Sequence, residues 1–262
     1  METRQILDHG YVKLIESWGS DERIIESARM STQKGFEGWG PQCKECLCNV
    51  GYESNQKECH ICGTKLVAGD EKLLKYLWEN KHSTPFEMSG VTFEVQAPIF
   101  VFREWHRHRT QSYSEASARY APLPAWDYMP TLDRVMLGGG HLTKQAGSTG
   151  AVLTEIKAQE WRKRVVEHYE NTEELYQWGL ALGVPKELAR IVLSVGRYSK
   201  MRATANLRNW LHFLSLRDEK HAQWEIQQFA GPGVRDILTQ VFPRTLALFQ
   251  EGRNSSVSSK VG

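Results

Sequence analysis

A chain of 262 residues, 40% hydrophobic and 24% charged, is long enough to bury a sizeable core without relying on disulfides. Thirty-three basic residues against thirty-one acidic ones leave a formal net charge of +2, which excludes a nonspecific nucleic-acid coat as the main role. No apolar run reaches the length of a membrane span, and the polar opening Met1-Glu2-Thr3-Arg4-Gln5 lacks a secretory apolar stretch, so a soluble, cytoplasmic protein with no membrane partner is expected.

In chain order, residues 4–18 alternate about Gly10 and predict a short hairpin. Asp21 is then expected to cap a helix whose apolar positions include Ile24, Ile25 and Ala28. Residues 40–69 interrupt this pattern and hold every cysteine of the chain: Cys43, Cys46, Cys48, Cys59 and Cys62. Cys43 with Cys46 and Cys59 with Cys62 make two Cys-x-x-Cys pairs separated by twelve residues, a spacing that lets two knuckles converge on one tetrahedral Zn²⁺. Gly63 after the second pair tolerates the tight turn such a knuckle needs. Cys48 and His60 are spare, and either could replace one of the four; a redox disulfide pair is the rival reading, disfavoured in the cytosol. A closed four-sulfur shell has no open position, so the metal is expected to be structural. Lys44, Lys57 and Lys65 face Glu45, Glu53 and Glu58 in number, which gives no phosphate-binding surface and argues against a nucleic-acid partner.

After this zinc-ribbon-like insertion, residues 71–81 predict a helix with Leu73, Leu74, Leu77 and Trp78 on one face, and residues 91–95 alternate as a strand. Pro98 suits the first turn of the next helix. The apolar run 97–102 leads straight into Arg107-His108-Arg109-Thr110-Gln111-Ser112-Tyr113-Ser114-Glu115-Ala116-Ser117-Ala118-Arg119-Tyr120. Three arginines next to a segment expected to be buried call for a ligand that supplies the opposite charge, and the two-pronged guanidinium suits phosphate. Residues 130–150, with Gly138-Gly139-Gly140 and Gly147-Ser148-Thr149-Gly150, predict a mobile loop near the site or a disordered connection. A long amphipathic helix is expected over 152–182, and another from Pro185 carries Arg190 among apolar residues, where it pairs with an acid or holds a phosphate. A strand over 198–204 then leads into a helix over 206–216. Residues 222–249 read as mainly helical with a break at Gly231-Pro232-Gly233, and the tail after Gly252 as disordered.

The 107–120 stretch resembles the signature of the flavin-dependent thymidylate synthases: Arg-His-Arg, two variable residues, Ser, one variable, Asn-Glu, one variable, Ser, one variable, Arg-Tyr. Only Ser114 departs, standing where the family has Asn. Further blocks follow the same family in order: Ser27-Ala28-Arg29-Met30-Ser31, His82-Ser83-Thr84-Pro85-Phe86-Glu87, the run 206–217, and His221-Ala222-Gln223-Trp224-Glu225-Ile226. The resemblance spans residues 4 to about 245 apart from the insertion. It implies an α+β thymidylate synthase-complementing fold, a mixed sheet with long helices, as one catalytic domain over 1–252 interrupted at 40–69.

By the same resemblance the protein is an NADPH-oxidising methyltransferase of nucleotide biosynthesis. FAD would pass reducing equivalents from NADPH, and 5,10-methylenetetrahydrofolate would give the carbon that turns dUMP into dTMP. Homotetramers with shared active sites are implied. Arg217 matches the arginine that polarises the uracil ring; its other reading is a helix C-terminal charge favoured by the dipole. Glu104, Arg107, Glu115, Ala116, Ser117, Ala118, Arg119, Arg190 and Arg217 match dUMP-binding positions. Thr84, Arg107, His108, Arg109, Glu115, Asn206, Arg208 and His212 match FAD-contact positions, and Glu87 and His221 lie in matching blocks near flavin or folate. Glu104 replaces a frequent Gln, and Met88 a frequent His. The Glu104 change leaves open another pyrimidine nucleotide, as in dCMP methylation or hydroxymethylation. With no cysteine outside the insertion, the thiolate route of the other thymidylate synthase family has no nucleophile. No Gly-x-Gly-x-x-Gly follows a strand, so a flavin is not expected on a Rossmann crossover.

Overall fold

The computed structural model describes residues 2–48, 56–137 and 153–258. Five strands, β1 (Thr3–Ile6), β2 (Gly10–Trp18), β3 (Gly90–Pro98), β4 (Ser112–Glu115) and β5 (Tyr198–Asn206), form one sheet in the order β1-β2-β3-β5-β4. Helices fill most of the intervening chain, so the expected α+β class is the one observed. β1 and β2 are the predicted hairpin, antiparallel with Thr3 opposite Lys13 and Ile6 opposite Gly10. The chain divides into two compact units.

The first unit comprises Met1–Lys13, Phe93–Ala203 and Arg217–Gly233. Alternation along β3 buries Phe93, Val95 and Ala97, and β5 buries Tyr198, Met201 and Ala203. Pro98 does not open a helix turn as expected; it ends β3 in extended conformation and sits at the N-cap of α4 (Ile99–Trp105). Beyond α4, Trp105 Nε1 donates to Gln111 Oε1 at 3.0 Å, and Tyr113 Oη donates to the carbonyls of His108 at 2.8 Å and Trp105 at 3.2 Å. These bonds fix the turn that presents residues 106–109.

The predicted loop at 130–150 begins with a short helix, α5 (Leu132–Met136), and from residue 138 it lies outside the described residues. α6 (Glu155–Ala181) starts three residues later than expected and buries only Ala158, Thr172 and Tyr176. Its apolar residues Trp161, Leu175 and Trp178 are exposed, so this helix lacks the broad buried stripe that its sequence suggested. Arg197, 1% exposed, ties α6 to the start of β5: it bonds Glu173 at 2.5 Å, Asp127 at 3.4 Å and the Pro124 carbonyl at 3.0 Å. Pro185 caps α7 (Lys186–Ala189), and Arg190 opens the 3₁₀ turn that follows. α9 (Trp224–Gln228) packs on α4.

The second unit comprises Leu14–Thr92, Thr204–Leu216 and Val234–Gly262. α1 (Asp21–Ala28), α2 (Asp70–Glu79), α3 (Thr84–Glu87), α8 (Leu207–Arg217 with its last residue in the first unit), α10 (Asp236–Val241) and α11 (Pro243–Ser258) supply its helices. Ser20, not Asp21, caps α1, its hydroxyl accepting from Arg23 N. Asp21 is instead buried and accepts from Arg244 N, Thr245 N and Thr245 Oγ1 at 2.8, 3.2 and 2.6 Å, satisfying the first-turn amides of α11. Ile24, Ile25, Leu74, Leu77, Trp210, Phe213 and Leu246 form the core between these helices.

The break expected at Gly231-Pro232-Gly233 is a π-helical stretch, Phe229–Arg235, that widens to absorb Pro232 without ending the helical path. α11 continues to Ser258, into the segment expected as a tail; residues 259–262 lie outside the described residues. No helix among the described residues is long and apolar enough to cross a membrane.

Candidate active site

A cavity of about 400 Å³ opens in the first unit, between α4, the end of β4 and the 190–199 segment. Its polar lining is Arg103, His106, Glu115, Ser117, Arg190 and Ser199; Phe102, Leu123 and Leu193 supply apolar wall. The backbone of Ala116 and Ala118 completes it, Ala116 N being held by the Lys200 carbonyl at 2.7 Å. Ser199 Oγ donates to Glu115 Oε1 at 2.8 Å, so the one carboxylate in the lining is already engaged. Arg103 and Arg190 make no ion pair among the described residues. Of the two roles open to Arg190, the acid partner is not found among the described residues.

Of the expected nucleotide residues, the cavity gathers Glu115, Ala116, Ser117, Ala118 and Arg190. Arg119 points elsewhere, pairing with Glu187 at 3.1 Å on the surface, and Arg107 is exposed. Glu104 and Arg217 form a second cluster in the same unit. Arg217 donates from Nη1 to Glu104 Oε2 at 3.1 Å, from Nη2 to the Glu104 carbonyl at 3.0 Å, and from Nε to His108 Nε2 at 2.9 Å. His108 thus presents Nε2 as the acceptor that orients the Arg217 Nε–H. Half-buried Arg217 is thus aimed by three bonds. Arg217 is also the last residue of α8, the helix-end position of its alternative reading.

Arg103, His106 and Ser199 were not anticipated. Arg103 and His106 stand three residues apart and therefore on one face of the α4 end, a spacing visible in the sequence. Ser199 carried no signal, because only the β4–β5 pairing brings it to Glu115.

The second unit holds a larger cavity of about 610 Å³ lined by Trp78, His82, Phe86, Arg208, His212 and Phe249 among others. Arg208 and His212 lie one turn apart on α8, and Arg208 pairs with Glu87 at 2.7 Å. A neighbouring cavity of about 310 Å³ takes Thr84, His82 and Met88. Flat aromatic walls with a cation and imidazoles suit a planar, anionic cofactor such as a flavin nucleotide. Asn206 lines neither; its side chain accepts from Asn209 N at 3.0 Å at the start of α8. His108 is buried, and Arg109 is exposed.

In the insertion, all five thiols are free and lie together. Sγ separations are 3.3 Å for Cys43–Cys62, 3.4 Å for Cys46–Cys59, 3.1 Å for Cys48–Cys59 and 3.8 Å for Cys46–Cys62. A tetrahedral shell with Zn–S near 2.3 Å has sulfur–sulfur edges of about 3.8 Å; one separation equals that edge and three are shorter, so the thiols are gathered closely enough to be the donors of one metal.

A family model described as thymidylate synthase complementing protein matches residues 13–244. The flavin-dependent thymidylate synthase of Ehrlichia ruminantium (strain Gardel) is 34% identical over 247 residues, covering 94% of this chain and 72% of that protein. That of Thermosipho africanus is 32% identical over 249 residues, covering 94% and 92%. Among solved structures, a UMP/dUMP methylase, PolB, from Streptomyces cacaoi bound with 5-Br dUMP superposes with a TM-score of 0.70 at 31% identity, covering 95% of this chain and 97% of that one. Fold and matches together define a flavin-dependent, methyl-transferring enzyme. The chain belongs to the flavin-dependent thymidylate synthase family.

Proposed function

We propose that this protein methylates dUMP to dTMP, with FAD as cofactor and with 5,10-methylenetetrahydrofolate and NADPH as co-substrates. The observation that carries the substrate reading is the first-unit cavity, lined by Arg103, Arg190 and Ser117, in which neither guanidinium makes an ion pair among the described residues and the one carboxylate, Glu115, is bonded to Ser199. Such a set binds a phosphate monoester through charge-assisted hydrogen bonds. FAD, when bound, supplies the reducing equivalents, and Arg208, His212 and Thr84 are the second-unit residues placed to hold it. Arg107, His108, Arg109, Glu115 and Asn206 remain cofactor contacts only by the family match.

Uracil becomes reactive at C6 when negative charge developing on its carbonyls and N3 is stabilised, and Arg217 is the cation assigned to that task. Arg190 and Ser117 anchor the phosphate, and Glu115, held by Ser199, faces the nucleotide. Arg107, Arg119 and Glu104 complete the nucleotide set by the family match.

Anaerobic incubation with FAD, NADPH, methylenetetrahydrofolate and dUMP, followed by mass spectrometry of the nucleotide, tests the whole reading. A gain of one CH₂ is expected; unchanged dUMP with flavin bound overturns it. UMP belongs in the same assay, since the Streptomyces cacaoi relative is named for both UMP and dUMP. For the phosphate anchor, Arg190→Ala is expected to raise the KM for dUMP about 10- to 100-fold with a smaller change in kcat, the loss of one charge-assisted bond. An unchanged KM removes Arg190 from that role.

The chain is read as one catalytic domain over 1–252, and as a homotetramer. Exposed Trp178, Leu182, Leu188, Ile191 and Val195 in the first unit give apolar surface for a subunit contact. Light scattering checks the assembly, a monomer being the contrary result. The cysteine cluster is read as a structural Zn²⁺ centre, apart from methyl transfer.

A further inference from the structure

The insertion contains one small backbone motif twice. Cys43 N donates to the Cys48 carbonyl at 3.1 Å, and Cys59 N donates to the Thr64 carbonyl at 2.8 Å, five residues on in each case. The residue after the second cysteine is left-handed both times, Leu47 at φ 56° and Gly63 at φ 72°. The residue before the first cysteine makes a bridge both times, Gln42 with Val67 and Glu58 with Lys65. Cys43 is therefore equivalent to Cys59, Cys46 to Cys62, Leu47 to Gly63, and Cys48 to Thr64.

Leucine is disfavoured in the left-handed region, and Leu47 is 84% exposed, so no packing offsets the cost. Such a conformation persists where surrounding bonds over-determine it, as ligation on both sides of a knuckle does.

The four sulfurs within 4.8 Å of one another are Cys43, Cys46, Cys48 and Cys59, a set that takes Cys48 and drops Cys62. The repeat argues otherwise. Position 48 corresponds to Thr64, which cannot be a thiolate ligand and whose hydroxyl lies 3.3 Å from Cys62 Sγ. Cys46 and Cys48 are also only two residues apart, a tighter bite than the Cys-x-x-Cys loop used twice here. Resting on the zinc reading above, we propose that Cys43, Cys46, Cys59 and Cys62 ligate one Zn²⁺, and that Cys48 stays a free thiol at the edge of the site, donating its S–H to the Cys59 sulfur 3.1 Å away. A donor there disperses thiolate charge, the part played around many metal ligands by an outer hydrogen bond.

The test uses the full-length protein, purified without chelator, as wild type, Cys48→Ser and Cys62→Ser. Zinc is measured by plasma mass spectrometry, and reactive thiols with an aromatic disulfide reagent before and after denaturation with chelator. Wild type and Cys48→Ser are each expected to carry about one zinc per chain, and Cys62→Ser to lose most of it. One thiol should react in native wild type and none in Cys48→Ser, against all five cysteines of the wild type after chelation. Cobalt substitution should give the same thiolate charge-transfer intensity in wild type and Cys48→Ser. Loss of metal from Cys48→Ser, or a cobalt spectrum weakened by one sulfur, overturns the ligand assignment even if Cys62→Ser does not fold. Wild type that binds neither zinc nor cobalt overturns the zinc reading itself, a separate result.

Discussion

Arg217→Ala is expected to lower kcat for dUMP methylation by about 100-fold or more, the scale of losing one preorganised donor from a site of developing negative charge. KM should move far less, because the cation acts on the ring as charge builds and not on the bound ground state. The three bonds that aim Arg217 explain why position matters as well as charge. Nε is fixed on His108, Nη1 on the Glu104 carboxylate and Nη2 on the Glu104 carbonyl. Lysine cannot reproduce that fork, so Arg217→Lys should recover only part of the rate. Steady-state kinetics on flavin-loaded variants measures both. Full turnover by Arg217→Ala would remove the guanidinium from the chemistry.

Glu104 separates the positioning of Arg217 from its charge. Glu104→Gln keeps an oxygen acceptor for Nη1 and leaves the backbone carbonyl bond intact, so kcat should stay within about threefold of wild type, only the charge assistance of one hydrogen bond being lost. That result would assign the carboxylate to holding the guanidinium and would take Glu104 out of the nucleotide set. A fall as deep as that of Arg217→Ala would mean that the carboxylate itself meets the substrate. This is where the departure from the family Gln acquires a physical sense: an acid is tolerated because its charge is spent on Arg217, 3.1 Å away.

What the sequence disclosed depended on the range of the signal. The hairpin, β3 and α8 follow from local alternation and spacing, and those elements form close to where they were expected. The clustered charges of the 107–120 run were the ground for expecting an anion site. Its division among three places was not legible: Glu115, Ser117 and Arg190 share a cavity, Arg119 turns to Glu187, and Arg107 faces solvent. Sheet order makes that division by laying β4 beside β5, which brings Ser199 and the 190–193 turn to the end of β4. Long-range pairs of this kind leave no periodic trace. Asp21 misled for the opposite reason. It has the chemistry of a cap, and it does satisfy helix amides, but those of α11, more than two hundred residues away.

The base of the insertion carries the other large effect. Asp70 is 1% exposed and pairs through both carboxylate oxygens with Arg29, while Oδ2 also accepts from Glu37 N at 2.7 Å and Gly38 N at 3.3 Å. Asp70 N in turn donates to the Gly38 carbonyl at 2.8 Å. One residue thus joins the chain leading into the insertion to the first turn of α2 that leaves it. Beside it, a side chain on Gly69 would lie 2.3 Å from the carbonyls of Trp39 and Gly40, so the two strands of chain are in backbone contact. Asp70→Ala leaves Arg29 with Glu37 at 3.2 Å and the Gly35 carbonyl at 2.8 Å but takes the acceptor from two backbone amides, and is expected to cost about 1–3 kcal/mol of unfolding free energy. Asp70→Asn, which retains an acceptor, should cost less. Urea unfolding gives the magnitude, and limited proteolysis gives the place: cleavage should begin within residues 37–70 before the helices of the second unit yield. Global unfolding with no early cleavage there would show that the pair supports the whole unit, and an unchanged midpoint that the clamp is dispensable.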